Sequence, residues 1–164
     1  MDKVKVSDKL LLSVEKPARY TGGELNSIVK ETARLRFALC FPDVYEIGMS
    51  HLGSRILYEV INSREEYACE RCFAPWPDME KAMRENNVPM FTLETRTPLA
   101  ECDIVGFSLL YEMCYTNILT MLDLAHIHKR SADRGENEPI IVAGGGCACN
   151  PEPIADFMDA IMIG

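Results

Sequence analysis

No apolar run in this 164-residue chain approaches the roughly 20 residues that a membrane-spanning helix needs. The amino terminus, Met1-Asp2-Lys3-Val4-Lys5-Val6, carries no apolar signal region, so a cytoplasmic location and no membrane partner are expected. Basic side chains are the minority. Lys and Arg number 17 against 25 Asp and Glu, which gives a net charge of −8. Phosphate contacts need clustered cations, so direct nucleic-acid binding is not expected of this domain. RNA held mainly by another domain is not excluded. The chain also lacks Cys-x-x-x-Cys-x-x-Cys: a third cysteine ahead of Cys69 and Cys72 falls at Glu65, so no iron–sulfur cluster of that kind is ligated here. Seven cysteines form an odd set without a regular framework and read as reduced thiols. No internal repeat or low-complexity segment is present.

What remains is enough for one domain with a real core: 48% of residues are hydrophobic and 26% charged. Residues 1–34 hold the turn-forming runs Lys16-Pro17-Ala18-Arg19-Tyr20 and Thr21-Gly22-Gly23-Glu24 without sustained periodicity. They are expected to form an arm, with a short helix or two, laid against a domain at 35–164. From Leu35 onward short apolar runs alternate with helical patterns. The expected strands are Arg36–Phe41, Tyr67–Phe73, Asp103–Leu109, Ile140–Ala143 and Ala160–Ile163, with a further extended piece at Met90–Glu94. The expected helices are Ser50–Asn62, Asp78–Glu85, Cys114–Lys129 and Pro151–Phe157, capped respectively by Ser50, Asp78 and, for the last, Asn150 before Pro151. Leu52, Ile56, Leu57, Val60 and Ile61 recur at helical spacing and predict an apolar face turned toward a sheet. This alternation predicts an α/β, doubly wound, mainly parallel five-stranded sheet of order 2-1-3-4-5.

In that order the first and third strands flank the topological switch point, where ligands collect at the carboxyl ends. The loops there hold Asp43–Ser50, Ser108-Leu109-Leu110-Tyr111-Glu112 and Gly144-Gly145-Gly146, and the runs of interest within them are Asp43–Gly48, Ser108–Leu110 and Gly144–Gly145. A serine hydroxyl can hydrogen-bond a ligand tail, and glycines without side chains let a flat ring approach the backbone. Each of these alone is more often a turn; the coincidence of three at the right strand ends carries the signal. Cys69 and Cys72 share a strand and, three positions apart, point to opposite faces, which argues against a metal clamp. Cys147 and Cys149 find no clear partner pair. Trp76, between Pro75 and Pro77, forms a rigid corner for packing or a domain interface. A signalling receiver needs an acidic cluster and a phospho-acceptor aspartate where this chain has Ser108-Leu109-Leu110, and a flavodoxin needs a phosphate loop unlike Pro42–Ser50.

Several longer segments bear a resemblance. They are Lys16–Asn26, Phe41–Gly53, Phe73–Glu80 and Asn150–Phe157. Together they resemble the N-terminal, cobalamin-binding-like domain of a family of bacterial radical S-adenosylmethionine proteins, over nearly the whole chain. Asp43–Gly48 is similar to the Asp-x-His-x-x-Gly signature of cobalamin domains, with Tyr45 where the cobalt's lower histidine ligand would stand. The phenol titrates near ~10 and is a poor cobalt ligand at neutral pH. His51, eight positions past Asp43, reads as an ordinary helix-start residue.

The resemblance implies cofactor contacts at Asp43, Tyr45, Gly48, Ser108, Leu110, Gly144 and Gly145, for a cobalamin without a protein lower ligand. It implies no catalytic or metal residue in this chain. It further implies that the chain is a fragment, and that a radical S-adenosylmethionine barrel follows in the same polypeptide. That barrel would hold the [4Fe–4S] cluster and the S-adenosylmethionine. The domain would then present cobalamin or shape an active site for radical chemistry such as methyl transfer. A degenerate docking or capping module with no cofactor is the alternative.

Overall fold

Five runs rich in Val, Ile, Phe, Cys and Ala are apolar enough to be covered on both faces, and they assemble as the sheet they predict. The computed structural model describes residues 3–163; Met1, Asp2 and Gly164, the outermost residues of the expected arm and domain, lie outside them. The strands are β1 (Leu35–Phe41), β2 (Tyr67–Phe73), β3 (Ile104–Ser108), β4 (Ile140–Gly144) and β5 (Ala160–Met162). They pair in the order β2-β1-β3-β4-β5, and every pairing is parallel. The register sets Ser108 beside Gly144 and Cys40 between Cys72 and Phe107. Cys69 and Cys72 point to opposite faces, packing with Leu39 and Tyr58 on one side and with the main core on the other.

The helices are α1 (Asp8–Leu11), α2 (Tyr45–Ser50), α3 (Leu52–Asn62), α4 (Pro77–Asn86) and α5 (Tyr115–Leu124). Several differ from expectation for local reasons. Ser50 does not cap the first long helix; it ends α2, and its hydroxyl donates back to the Glu46 and Ile47 carbonyls at 2.9 Å. The cap is His51, whose ring Nδ1 accepts the Ser54 N–H at 3.1 Å. Asp78 does not cap α4. Trp76 takes that position, Pro77 starts the helix, and the Asp78 carboxylate accepts the N–H of Glu15 in the arm at 2.7 Å. The helix expected at Pro151–Phe157 shrinks to a 3-10 turn at Ala155–Phe157. Pro153 removes an N–H and drives Glu152 away from helical angles. The helix after Cys114 stops at Leu124, and His126 follows with a left-handed φ of 58°.

The largest correction concerns α3. Its face toward the sheet is Ser54, Tyr58 and Asn62, while Leu52, Ile56, Leu57 and Val60 are exposed. The polar residues are buried because each is satisfied. The Tyr58 hydroxyl accepts the Ile28 N–H at 2.7 Å, and the Asn62 amide both donates to and accepts from the Cys69 backbone at 3.0 Å. Hydrogen bonds to the arm and to β2 thus outweigh the apolar periodicity.

The arm shares the main core through Val4, Val6, Leu10, Leu11 and Val14. Residues 90–98 fold against β2, where the Leu93 N–H donates to the Arg71 carbonyl at 2.8 Å, and the Phe91–Pro98 bridge closes the loop. Two buried ion pairs lock this flank. Arg36 meets Glu70, which also accepts from the Thr92 and Thr95 hydroxyls; Arg71 meets Glu94 at 2.6 Å and stacks on the Tyr58 ring at 4.5 Å. Among the described residues no helix is long and apolar enough to cross a membrane.

Candidate functional site

The chain leaves β1 through Pro42 and Asp43, and leaves β3 through Leu109 and Leu110, so the two loops meet over the switch point. Asn117 of α5 donates to the Pro42 carbonyl at 2.9 Å and holds the first loop down. One Asp43 carboxylate oxygen accepts the N–H of Val44 at 2.7 Å. The other accepts the Tyr111 hydroxyl from the β3 loop. Tyr111 lies in the loop that the sequence places here but outside the seven expected contacts; its signal is a phenol just past the Ser108-Leu109-Leu110 run.

The glycine pair does two jobs. The Leu109 N–H donates to the Gly144 carbonyl at 2.7 Å, and the Leu109 carbonyl accepts the Cys147 N–H at 3.1 Å. Gly145 has a φ of 120°, and a Cβ there would lie 2.6 Å from the Leu109 carbonyl oxygen. Only glycine permits that approach of the two loops. Gly144 has ordinary room: a Cβ there would meet Met162 at 3.6 Å. Ser108, at the end of β3, sits beside it in register and is half-buried.

Thiols line the inner side of this rim. The Cys114 thiol donates to the Tyr111 carbonyl at 2.8 Å, and burial pushes it up to about 11. Burial also raises the Cys147 thiol, which lies beside the Tyr115 hydroxyl. That hydroxyl is itself buried without a hydrogen-bond partner among the described residues. Protonated thiols of this kind are weak nucleophiles and poor metal ligands. No group of three or more His, Cys, Asp or Glu could hold a metal among the described residues. Outward of the thiols, Leu110, Tyr111 and Met113 are exposed, as is Met162 at the end of β5.

The structure divides the seven predicted contacts into two groups. Asp43, Ser108, Leu110, Gly144 and Gly145 lie at the carboxyl ends. Tyr45 and Gly48 belong to the β2 flank. Tyr45 meets Phe73 edge-on at a ring distance of 5.5 Å and packs with Phe41, Phe73 and Leu93. Burial first, then Glu24, raises its phenol above the ordinary value. A Cβ on Gly48 would fall 2.2 Å from the Phe73 ring, so that glycine exists to let α2 cross the aromatic cluster.

Between α3 and the arm, a groove of about 600 Å³ opens over Tyr58, Arg71 and Phe73, with Leu25 and Ile56 on its walls. The sequence reading missed it because it turned the apolar stripe of α3 inward.

Residues 53–164 match the family described as radical SAM proteins, N-terminal. The fold is similar to a cobalamin-binding protein from Desulfitobacterium hafniense DCB-2, solved by crystallography, with a TM-score of 0.45 and 13% identity. That similarity covers 80% of this chain and 53% of the other, so the chain spans about half the length of that protein. No curated protein matches the chain.

Proposed function

We propose a function from one premise: this chain belongs to the family of radical SAM proteins, N-terminal. It serves as an accessory domain whose carboxyl edge covers the active site of a radical SAM domain in the same polypeptide. The cluster and the S-adenosylmethionine belong to that other domain, since this chain has no Cys-x-x-x-Cys-x-x-Cys. The observation that carries the reading is the rim at the carboxyl ends. Leu110, Tyr111, Met113 and Met162 are exposed there around the Asp43–Tyr111 hydrogen bond. Apolar side chains gathered around polar groups mark surfaces that bind a partner or ligand. The domain works in the cytoplasm, where its seven free thiols stay reduced.

The residues do not fit a cobalamin held from below by an imidazole. Tyr45 is packed into the Phe73 cluster, and the ring of His51 is committed to capping α3. A second reading keeps cobalamin without a protein ligand, seated over Asp43, Ser108, Leu110, Gly144 and Gly145. The adjacency of Ser108 and Gly144 across β3 and β4 favours it. An absorbance titration of the full-length protein with cobalamin separates the two. The covering role predicts no saturable spectral change, in the natural protein or in Tyr45→His. Saturable binding that Gly144→Val abolishes would replace it with the second reading.

A further inference from the structure

We propose that the outer face of α3 is a self-association surface, on which two copies of this chain pair α3 against α3, antiparallel, about a two-fold axis. This goes beyond the accessory role and uses a different side of the molecule from the carboxyl rim.

Three observations lead there. Leu52, Ile56 and Val60, at i, i+4 and i+8, are 65%, 54% and 59% exposed, and Leu25 of the arm beside them is 90% exposed. A contiguous apolar ridge of this kind is what a helix presents to a partner. Next, the ridge runs along the groove of about 600 Å³ that separates α3 from the arm. A ridge with a groove at its side is self-complementary under a two-fold rotation: each copy's ridge enters the other's groove, an isologous contact.

The third observation chooses the occupant. Arg55 and Glu59 stand one turn apart on the groove side of the ridge, both exposed, and neither makes an ion pair among the described residues. In an antiparallel pair about a two-fold axis, the same flank of each helix meets its own copy in reverse order. Arg55 of one copy then faces Glu59 of the other, and Glu59 faces Arg55. An antiparallel second copy of the same helix is therefore complementary to this flank in charge as well as in shape, as flanking charges select partners in coiled coils.

Sedimentation of the full chain across a concentration series tests this, with variants at exposed positions that leave the core untouched. The natural chain dimerises. Ile56→Glu, placing a carboxylate at the centre of the ridge, leaves only monomer at concentrations where the natural chain is dimeric. Arg55→Glu weakens the dimer about tenfold, because two symmetric ion pairs become repulsions. The double variant R55E/E59R recovers affinity to within about threefold of the natural chain, because the swap restores both pairs. Met113→Glu, at the carboxyl rim, leaves the dimer unchanged. A chain that stays monomeric throughout overturns the proposal. So does a dimer that survives Ile56→Glu, one that Met113→Glu disrupts, or a double swap that fails to rescue. Unchanged circular dichroism in each variant separates loss of pairing from loss of fold.

Discussion

The β2 flank and the carboxyl edge lie on either side of the exit from β1, and they hold their charges differently. On the flank, the buried carboxylates Glu70 and Glu94 each meet a guanidinium, and threonine hydroxyls or stacked tyrosine complete the shell. At the edge, Asp43 meets a backbone amide and one tyrosine hydroxyl on an exposed side chain. The flank is closed by ionic pins, whereas at the edge the Asp43 carboxylate meets no cation among the described residues and is held by hydrogen bonds that a partner can exchange. The six residues from Asp43 to Gly48 straddle this boundary. Their first member serves the edge, and Tyr45 and Gly48 serve the flank.

Removing one charge from each side tests the difference most strongly. Glu70→Ala leaves Arg36 buried without its counter-charge, and a loss of about 3–5 kcal/mol in urea unfolding is expected. Asp43→Ala removes two hydrogen bonds to a carboxylate but strands no buried counter-charge, and about 2 kcal/mol is expected. Equal losses would erase the contrast.

Glycines give the next largest effect. Gly48→Ala forces a Cβ into the Phe73 ring and is expected to cost about 1–3 kcal/mol, while Gly144→Ala has room and stays within about 0.5 kcal/mol. If Gly144→Ala were the more damaging, the packing around Gly48 would not be the tighter of these two positions.

The strand sequence of this fold was legible because β1 to β5 are short apolar runs bounded by turns, and their parallel order follows from the alternation with helices. The α3 face was not. Leu52, Ile56, Leu57 and Val60 form a helical stripe that outscores Ser54, Tyr58 and Asn62 on hydropathy, yet the latter face the sheet. Their burial depends on acceptors and donors at Ile28 and Cys69, partners that lie 30 and 7 residues away and carry no periodic signature. The edge was partly legible. Asp43, Ser108, Leu110, Gly144 and Gly145 share the carboxyl ends because they follow strands whose order was readable. Tyr45 and Gly48 were read as one motif with Asp43, but α2 begins at Tyr45 and turns both toward Phe73. The spacing of a motif fixes the path of the chain only when the loop is extended.

A smaller change probes the edge alone. Tyr111→Phe deletes the hydroxyl that Asp43 accepts, at an expected cost of about 1 kcal/mol or less, because the pair is exposed. A calorimetric melt checks this. A larger loss would mean that the edge is pinned as firmly as the flank.

The contrast extends to the opposite end of the sheet, where the loop before β4 is exposed yet tightly bonded. Burial works against ionisation of Glu138, but the amides of His128 and Gly135, together with the His128 ring, outweigh it and bring its carboxyl from 4.5 down to about 2. A depressed folded value means that the unfolded chain binds more protons as pH falls. The stabilisation from Glu138 is therefore complete above pH 4.5 and disappears as pH drops through about 2. Glu138→Gln removes it, so a deficit on the order of 1–2 kcal/mol at neutral pH is expected in urea unfolding. That deficit should shrink steadily on acidification across this window, and a deficit that stays constant would mean that the loop is held by something other than the carboxylate.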